Sequence, residues 1–493
     1  MMRLKAISLL LIFMMAALCT EVQSQTIAAD APQSHNEKDS IATSLERKAD
    51  MFITDIDCQN EAGYYLMEFF QNSTRAMKYF NRALSQARAQ YGEQSQQVAK
   101  SYNNIGRAYY SQSECQEALS YHFKALDICE NVLGEEHPET AMSNTYIGIT
   151  YTKMGDKEKA LDYCRKALSI QKKTLENDHL DLAITYNCLG EAYFLNGDFT
   201  SALDCHQKAL DIRKKKLGPE HQSTAASYSR IGYVYCQLGD YDKALNFLNR
   251  ALAVQEKILG ESHPDFASTI SGIGLTYFQQ EDYGKALEYY SRAKSILEQI
   301  SVQDQSILAQ AYNRLGCTQQ QLRQYEKALE NFRKVLDIQE KTLGVEHPDV
   351  AATRANIGNL YGMKGDYSNA LKYLLNSLTI LEKTLGKDHY STAQCYYNIG
   401  MVYLHKSDYN RALQYLLKAH GPLERSLGKD YPLSARCNMN IGAAYSYLKS
   451  YTKALEYTTK AYESMKVSLG PKHPDTLNVK KNLDTIRSLS KKR

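Results

Sequence analysis

Seven histidines stand 42 residues apart or at a multiple of that spacing: His137, His179, His221, His263, His347, His389 and His473. Imidazoles in a series invite zinc, whose ligands must all come within about 2.3 Å of one ion. Histidines one helix pair apart are separated by roughly 10 Å, so neighbours in the series have no shared ion to hold. Four of them precede proline, at Pro138, Pro264, Pro348 and Pro474. His-Pro reads as the opening of a helix with proline at its first position, where a missing N–H costs nothing. No metal and no cofactor is expected.

Sulfur chemistry is equally sparse. Ten cysteines follow Ser24, with no CxxC pair among them. Cys395 and Cys437 are 42 residues apart, and a disulfide needs Cα atoms within about 7 Å. Most of these cysteines read as small apolar fillers between helices. No Ser/His/Asp or Cys/His arrangement stands out from the periodic pattern, and no glycine loop is built to hold phosphate. The chain is read as non-catalytic. Asn72-Ser73-Thr74 is a glycosylation sequon that falls within an expected helix. Fifty-nine basic residues against 55 acidic ones give +4, too even a balance for a nucleic-acid-binding face.

The elements that carry these residues are copies of one unit. Gly106, Gly148, Gly190, Gly232, Gly274, Gly316, Gly358, Gly400 and Gly442 follow one another at 42 residues. Twelve residues after each comes Ala-Leu (Ala118-Leu119, Ala160-Leu161, Ala202-Leu203, and on to Ala454-Leu455). Three residues after the glycine stands tyrosine, with Gln319 the exception. Apolar residues recur at three and four, as one buried helix face requires. Turns at Gly155-Asp156, Gly197-Asp198, Gly239-Asp240 and Gly365-Asp366 end one helix and cap the next. Leu-Gly closes the second helix, as at Leu133-Gly134 and Leu217-Gly218. Glycine and alanine at matched points let the two helices cross closely. One pair cannot bury its apolar face alone and must stack on the next. The fold class is all-α, a solenoid of stacked antiparallel helix pairs.

Tyr102, Ile105-Gly106, Tyr109, Ala118 and Ala125, with the linker Leu133-Gly134-Glu135-Glu136-His137-Pro138, resemble the tetratricopeptide repeat in its 42-residue kinesin-light-chain-like and nephrocystin-3-like form. The resemblance divides the chain into a polar segment with a short helix at 25–60, a degenerate first repeat at 61–97 in which Tyr64 replaces the glycine, nine repeats at 98–473, and a capping helix with a basic tail at 474–493. It implies a right-handed superhelix, on the order of 90 Å long at roughly 10 Å per pair. Its first helices line a concave groove that holds a protein or extended peptide. The positions facing that groove are Asn103, Asn104, Arg107, Asn187, Arg230, Asn313, Arg314, Asn356, Asn359, Asn398, Arg436 and Asn440. Amides there would both donate to and accept from a peptide backbone. Asn359, Asn398 and Arg436 fall where carboxylate-clamp members place binding residues, but the clamp lysine is missing.

Residues 1–24 have the layout of a secretory signal. Arg3 and Lys5 form a basic start, Ala6 to Leu18 an apolar run of 13 residues, and Val22-Gln23-Ser24 a small-residue cleavage site. The run is short for a bilayer span, so an exported chain with no membrane span is expected. The alternative is a cytoplasmic, kinesin-light-chain-like cargo adaptor, against which stands the lack of a long heptad region before the repeats. Self-association is open to either.

Overall fold

The computed structural model describes residues 35–51, 55–70, 72–300 and 305–491. The expected signal segment, residues 1–24, and the polar stretch up to residue 34 lie outside the described residues. Twenty-two helices and no strand are found among the described residues. They are α1 His35–Met51, α2 Ile56–Phe70, α3 Ser73–Tyr91, α4 Gln96–Ser111, α5 Cys115–Val132, α6 Pro138–Met154, α7 Lys157–Thr174, α8 Leu180–Leu195, α9 Phe199–Leu217, α10 Gln222–Leu238 and α11 Tyr241–Leu259. There follow α12 Pro264–Gln279, α13 Tyr283–Gln299, α14 Gln305–Gln321, α15 Tyr325–Leu343, α16 Pro348–Met363, α17 Tyr367–Thr384, α18 Tyr390–His405, α19 Tyr409–Leu427, α20 Pro432–Tyr447, α21 Tyr451–Ser468 and α22 Pro474–Lys491. The chain forms two compact units, one ending at Ala311 and one beginning at Tyr312. Within each, helices pair in antiparallel hairpins and each pair stacks on the next.

Local chemistry sets the helix ends. All seven periodic histidines accept, through Nδ1, the backbone N–H two residues on, at 3.1–3.2 Å. Each imidazole thereby satisfies a donor that the first turn cannot pair internally. Asp156, Asp198, Asp240, Asp282, Asp366 and Asp408 cap the second helices in the same sense. Before each of these stands a residue in the left-handed region. It is glycine at 155, 197, 239 and 365, but Glu281 and Ser407 where glycine is absent. The sequon residue Asn72 is the N-cap of α3, its side chain accepting from Arg75 N, and so lies at the turn between two helices and not inside one.

The periodic glycines mark where paired helices touch. A Cβ on Gly232 would lie 2.7 Å from Leu248 Cγ and 3.1 Å from the Ala244 carbonyl oxygen. The same contact, sixteen residues on, joins Gly106 to His122, Gly190 to His206 and Gly316 to Phe332. In the degenerate first pair the glycine is not lost. Gly63 packs on Phe80, one place before the position that Tyr64 holds in the 42-residue count. At the far end of seven of the nine pairs the periodic tyrosine stacks on an aromatic of the second helix, as in Tyr109–Tyr121 (5.4 Å between centroids), Tyr235–Phe247 and Tyr403–Tyr415. Lys124 lies 4.8 Å over the Tyr121 ring. Between repeats, first helices are joined by a hydrogen-bond ladder: Asn103 to Ser143, Thr145 to Thr185, and Ser229 to Thr269.

Candidate functional site

Four first helices of the N-terminal unit surround a cleft of about 780 Å³. From α2 come Asp57, Asn60, Glu61 and Tyr64, at the three-four spacing of a single helix face. From α4, Lys100, Asn103, Asn104 and Arg107 repeat that spacing. Glu139, Met142 and Tyr146 enter from α6, His179, Leu180, Asp181 and Ile184 from the start of α8, and Lys216 from α9. The wall is therefore mixed: an aromatic and aliphatic floor under charged walls.

The floor is internally committed. Tyr64 donates its hydroxyl to Asn104 Oδ1, and Asn104 Nδ2 donates to Asn60 Oδ1 at 3.0 Å. The Arg107 guanidinium lies 4.9 Å from the Tyr64 ring centre and 5.5 Å from that of Tyr146, a cation held between two π faces. Asn103 donates to Ser143 Oγ and bonds through Oδ1 to His122 Nδ1 at 3.1 Å. His122 stacks on Tyr146 from beneath. Burial and the nearby Arg107 charge push His122 down to about 3, so the ring under the floor is neutral.

The charged walls are unevenly matched. Lys100 pairs with Glu139 at 2.9 Å, Lys216 with Asp178 at 3.0 Å, and Glu61 with Lys48 at 3.2 Å. Asp181 is 3.7 Å from His179 Nδ1, but that nitrogen already accepts the Asp181 backbone N–H. Burial raises the Asp181 carboxyl above its ordinary range; the Glu139 charge adds to the shift, while His179 and Lys100 oppose it.

Of the twelve groove positions expected from sequence, Asn103, Asn104 and Arg107 meet in this cleft. The others lie outside it. Asn187 is buried against His206 Nδ1 at 2.9 Å. Arg230 forms a buried pair with Glu191 at 2.8 Å, the side chains 2% and 1% exposed. Asn440 is buried and donates to the Tyr397 hydroxyl at 3.0 Å. Asn313 and Arg314 are also buried, and Arg436, though exposed, pairs with Asp475 at 3.0 Å. Only Asn356, Asn359 and Asn398 are partly open. The reason is close stacking: positions two and three before the glycine fall at junctions between first helices, where an amide is consumed by its neighbours. Sequence carried a signal for this at Asn103 and Asn187, the asparagines whose repeats place histidine sixteen residues after the glycine. Asp57, Asn60 and Glu61 had no such signal, since they precede the regular copies; Asp181 had one, being the acidic residue two places after a periodic histidine, as Glu139, Asp265, Asp349 and Asp475 also are.

Cys164 and Cys188 are joined in a disulfide between α7 and α8, with Cα atoms 6.3 Å apart. The pair was not anticipated because the two residues occupy different places in the repeat. Cys395 and Cys437 are separately buried, and burial lifts both thiols to about 12. No helix among the described residues is long and apolar enough to cross a membrane.

The tetratricopeptide repeat profile matches residues 67–126, 113–173, 181–257, 223–299, 307–382 and 363–421, and a second profile of that description matches 434–475. The chain is a tetratricopeptide repeat protein. Arrays of this family are protein-interaction scaffolds. Among solved structures, this tetratricopeptide chain is similar to the apo quorum sensor NprR from B. thuringiensis, at 16% identity, covering 72% of this chain and 97% of that one with a TM-score of 0.53. It is similar also to apo RapI, at 16% identity, 76% and 99% coverage and a TM-score of 0.52. A kinesin light chain of Podosopora anserina with nearly identical TPR-like repeats matches at 25% identity, 40% and 93% coverage and a TM-score of 0.35. At these identities the likeness is one of fold. No curated protein matches the chain in sequence.

Proposed function

We propose that this tetratricopeptide protein is a non-catalytic, exported receptor that holds a peptide segment of a protein partner in the cleft bounded by α2, α4, α6 and α8. The observation that carries the reading is the lining itself. Four consecutive first helices present tyrosine and aliphatic surface beneath paired and unpaired charges, within a volume that admits several side chains. Rigid aromatic floor supplies contact area at small entropic cost, and polar walls fix register. The committed amides of the floor are held in place before any ligand arrives, which lowers the ordering cost of binding. Export is supported by the apolar run Ala6 to Leu18 and by the Cys164–Cys188 disulfide, a bond that persists in oxidising compartments.

The test is a photo-crosslinking residue placed at Met142, on the cleft floor, and in a control chain at Lys166, on the second helix α7. Both full-length proteins are irradiated with peptides selected from a random dodecapeptide library. Crosslinks at 142 and not at 166 support the cleft. Equal labelling at both, or none at 142, overturns it.

A further inference from the structure

We infer that the partner segment brings a basic side chain, lysine or arginine, into the part of the cleft between Glu139 and Asp181. The inference rests on the reading of the cleft as the partner site and adds the chemistry of what enters it. Each lysine at the cleft is already spent on a carboxylate. Lys216 shares Asp178 with Lys215, and Lys48 serves Glu61 from outside the lining. Lys100 pairs with Glu139 at 2.9 Å, and its charge acts on Asp181 as well. Two carboxylates thus share one ammonium. The His179 Nδ1, 3.7 Å from Asp181, accepts the Asp181 backbone N–H.

The surroundings suit a long basic side chain in particular. Met142, Leu180 and Ile184 line the same wall as Asp181, and an alkyl stem lies well against such surface while its head reaches the carboxylate. The Tyr146 ring adds a π face nearby.

The experiment compares two fluorescent peptides, one taken from the library selection on the full-length chain and its counterpart with each lysine replaced by norleucine. Fluorescence anisotropy is read on the wild type, Asp181→Asn and Lys100→Met. The wild type should bind the lysine peptide about tenfold or more tighter than the norleucine peptide, the scale expected when a partly buried charge pair loses one member. Asp181→Asn should erase that ratio. Lys100→Met should enlarge it, because the two carboxylates then lack their shared cation; simple damage to the groove would instead weaken both peptides. Circular dichroism melts confirm that each variant is folded. Selected peptides without basic residues, or a ratio unmoved by Asp181→Asn, would overturn the inference while leaving the cleft as a peptide site. Peptides that crosslink away from Met142 would overturn both.

Discussion

His122 and His206 are neutral because they are enclosed, and enclosure makes them acid-labile points. Unfolded, each ring takes a proton near pH 6.5. Folded, burial and the Arg107 charge hold His122 off until about pH 3, and His206 is held well below its ordinary value by burial with Arg230 and Arg213. The unfolded chain therefore binds protons first, so this contribution is harmless above pH 6.5 and destabilises as pH falls below it. For His122 the loss at pH 5 is about 2 kcal/mol. The double variant Asn103→Ser with His122→Leu copies the Ser229/Leu248 pairing of another repeat and should flatten that part of the pH dependence, read as urea midpoints at pH 7 and pH 5. A second residue-scale prediction sets two glycines against each other. Alanine favours helix over glycine by about 1 kcal/mol. At Gly284 a Cβ meets nothing nearer than 3.6 Å, and Gly284→Ala should stabilise by about that much. At Gly232 the Cβ would press on Leu248 and the Ala244 carbonyl, so Gly232→Ala should cost about 1–3 kcal/mol instead. Thermal melts of both variants decide it. The periodic glycine was legible from sequence because backbone contact tolerates no other residue. The fate of Asn187 or Asn440 was not, because an amide at a helix junction and an amide on an open groove look alike in one dimension.

Helix pairs show how the array tolerates imperfect copies. Glycine takes the left-handed turn position in four repeats, and Ser113, Glu281, Arg323, Ser407 and Lys449 take it in the other five, with φ between 56° and 64°. A side chain there costs roughly 1–2 kcal/mol against glycine, partly offset by the lower entropy of the unfolded chain. The turn forms regardless, because helices on either side and the cap that follows dictate it. Arg323→Gly and Lys449→Gly should each raise stability by about 0.5–1 kcal/mol, measured as denaturant midpoints; a fall would mean that these side chains make compensating contacts. The same robustness explains what could be read and what could not. The helices and their order follow from spacing repeated nine times, enough to survive any single substitution. The cleft is built where copies differ. Its α2 wall comes from the degenerate pair, in which Gly63 has slipped one place from the count, whereas Glu139 and Asp181 hold the acidic position that also recurs at Asp265, Asp349 and Asp475. A repeat pattern averages the residues of the degenerate pair away.

Across a stacked array each pair touches its neighbours alone, so stability is a sum of local terms and damage should stay near its source. The C-terminal unit offers a direct test. Helix α22 buries Val479, Leu483 and Ile486, and Val479 packs in one cluster with Ala435 of α20 and with Ala461 and Met465 of α21. Ending the chain at Gly470 removes those side chains, uncovers Ala461 and Met465, and deprives Arg436 of Asp475. At about 1.5–3 kcal/mol for each fully buried aliphatic residue, the contact is worth on the order of 5 kcal/mol. Hydrogen exchange at single-residue resolution should then show amides of α20 and α21 opening more than tenfold faster, while those of α16 and α17, two pairs away, change by about twofold or less. Uniform acceleration through the unit would mean that it unfolds as one cooperative block, and that its repeats are not independent carriers of stability. The distinction bears on binding as well. If opening is local, truncation leaves the cleft of the other unit its full affinity, since every residue lining it lies between Asp57 and Lys216, and the anisotropy of the selected peptide on the truncated chain should match the wild type.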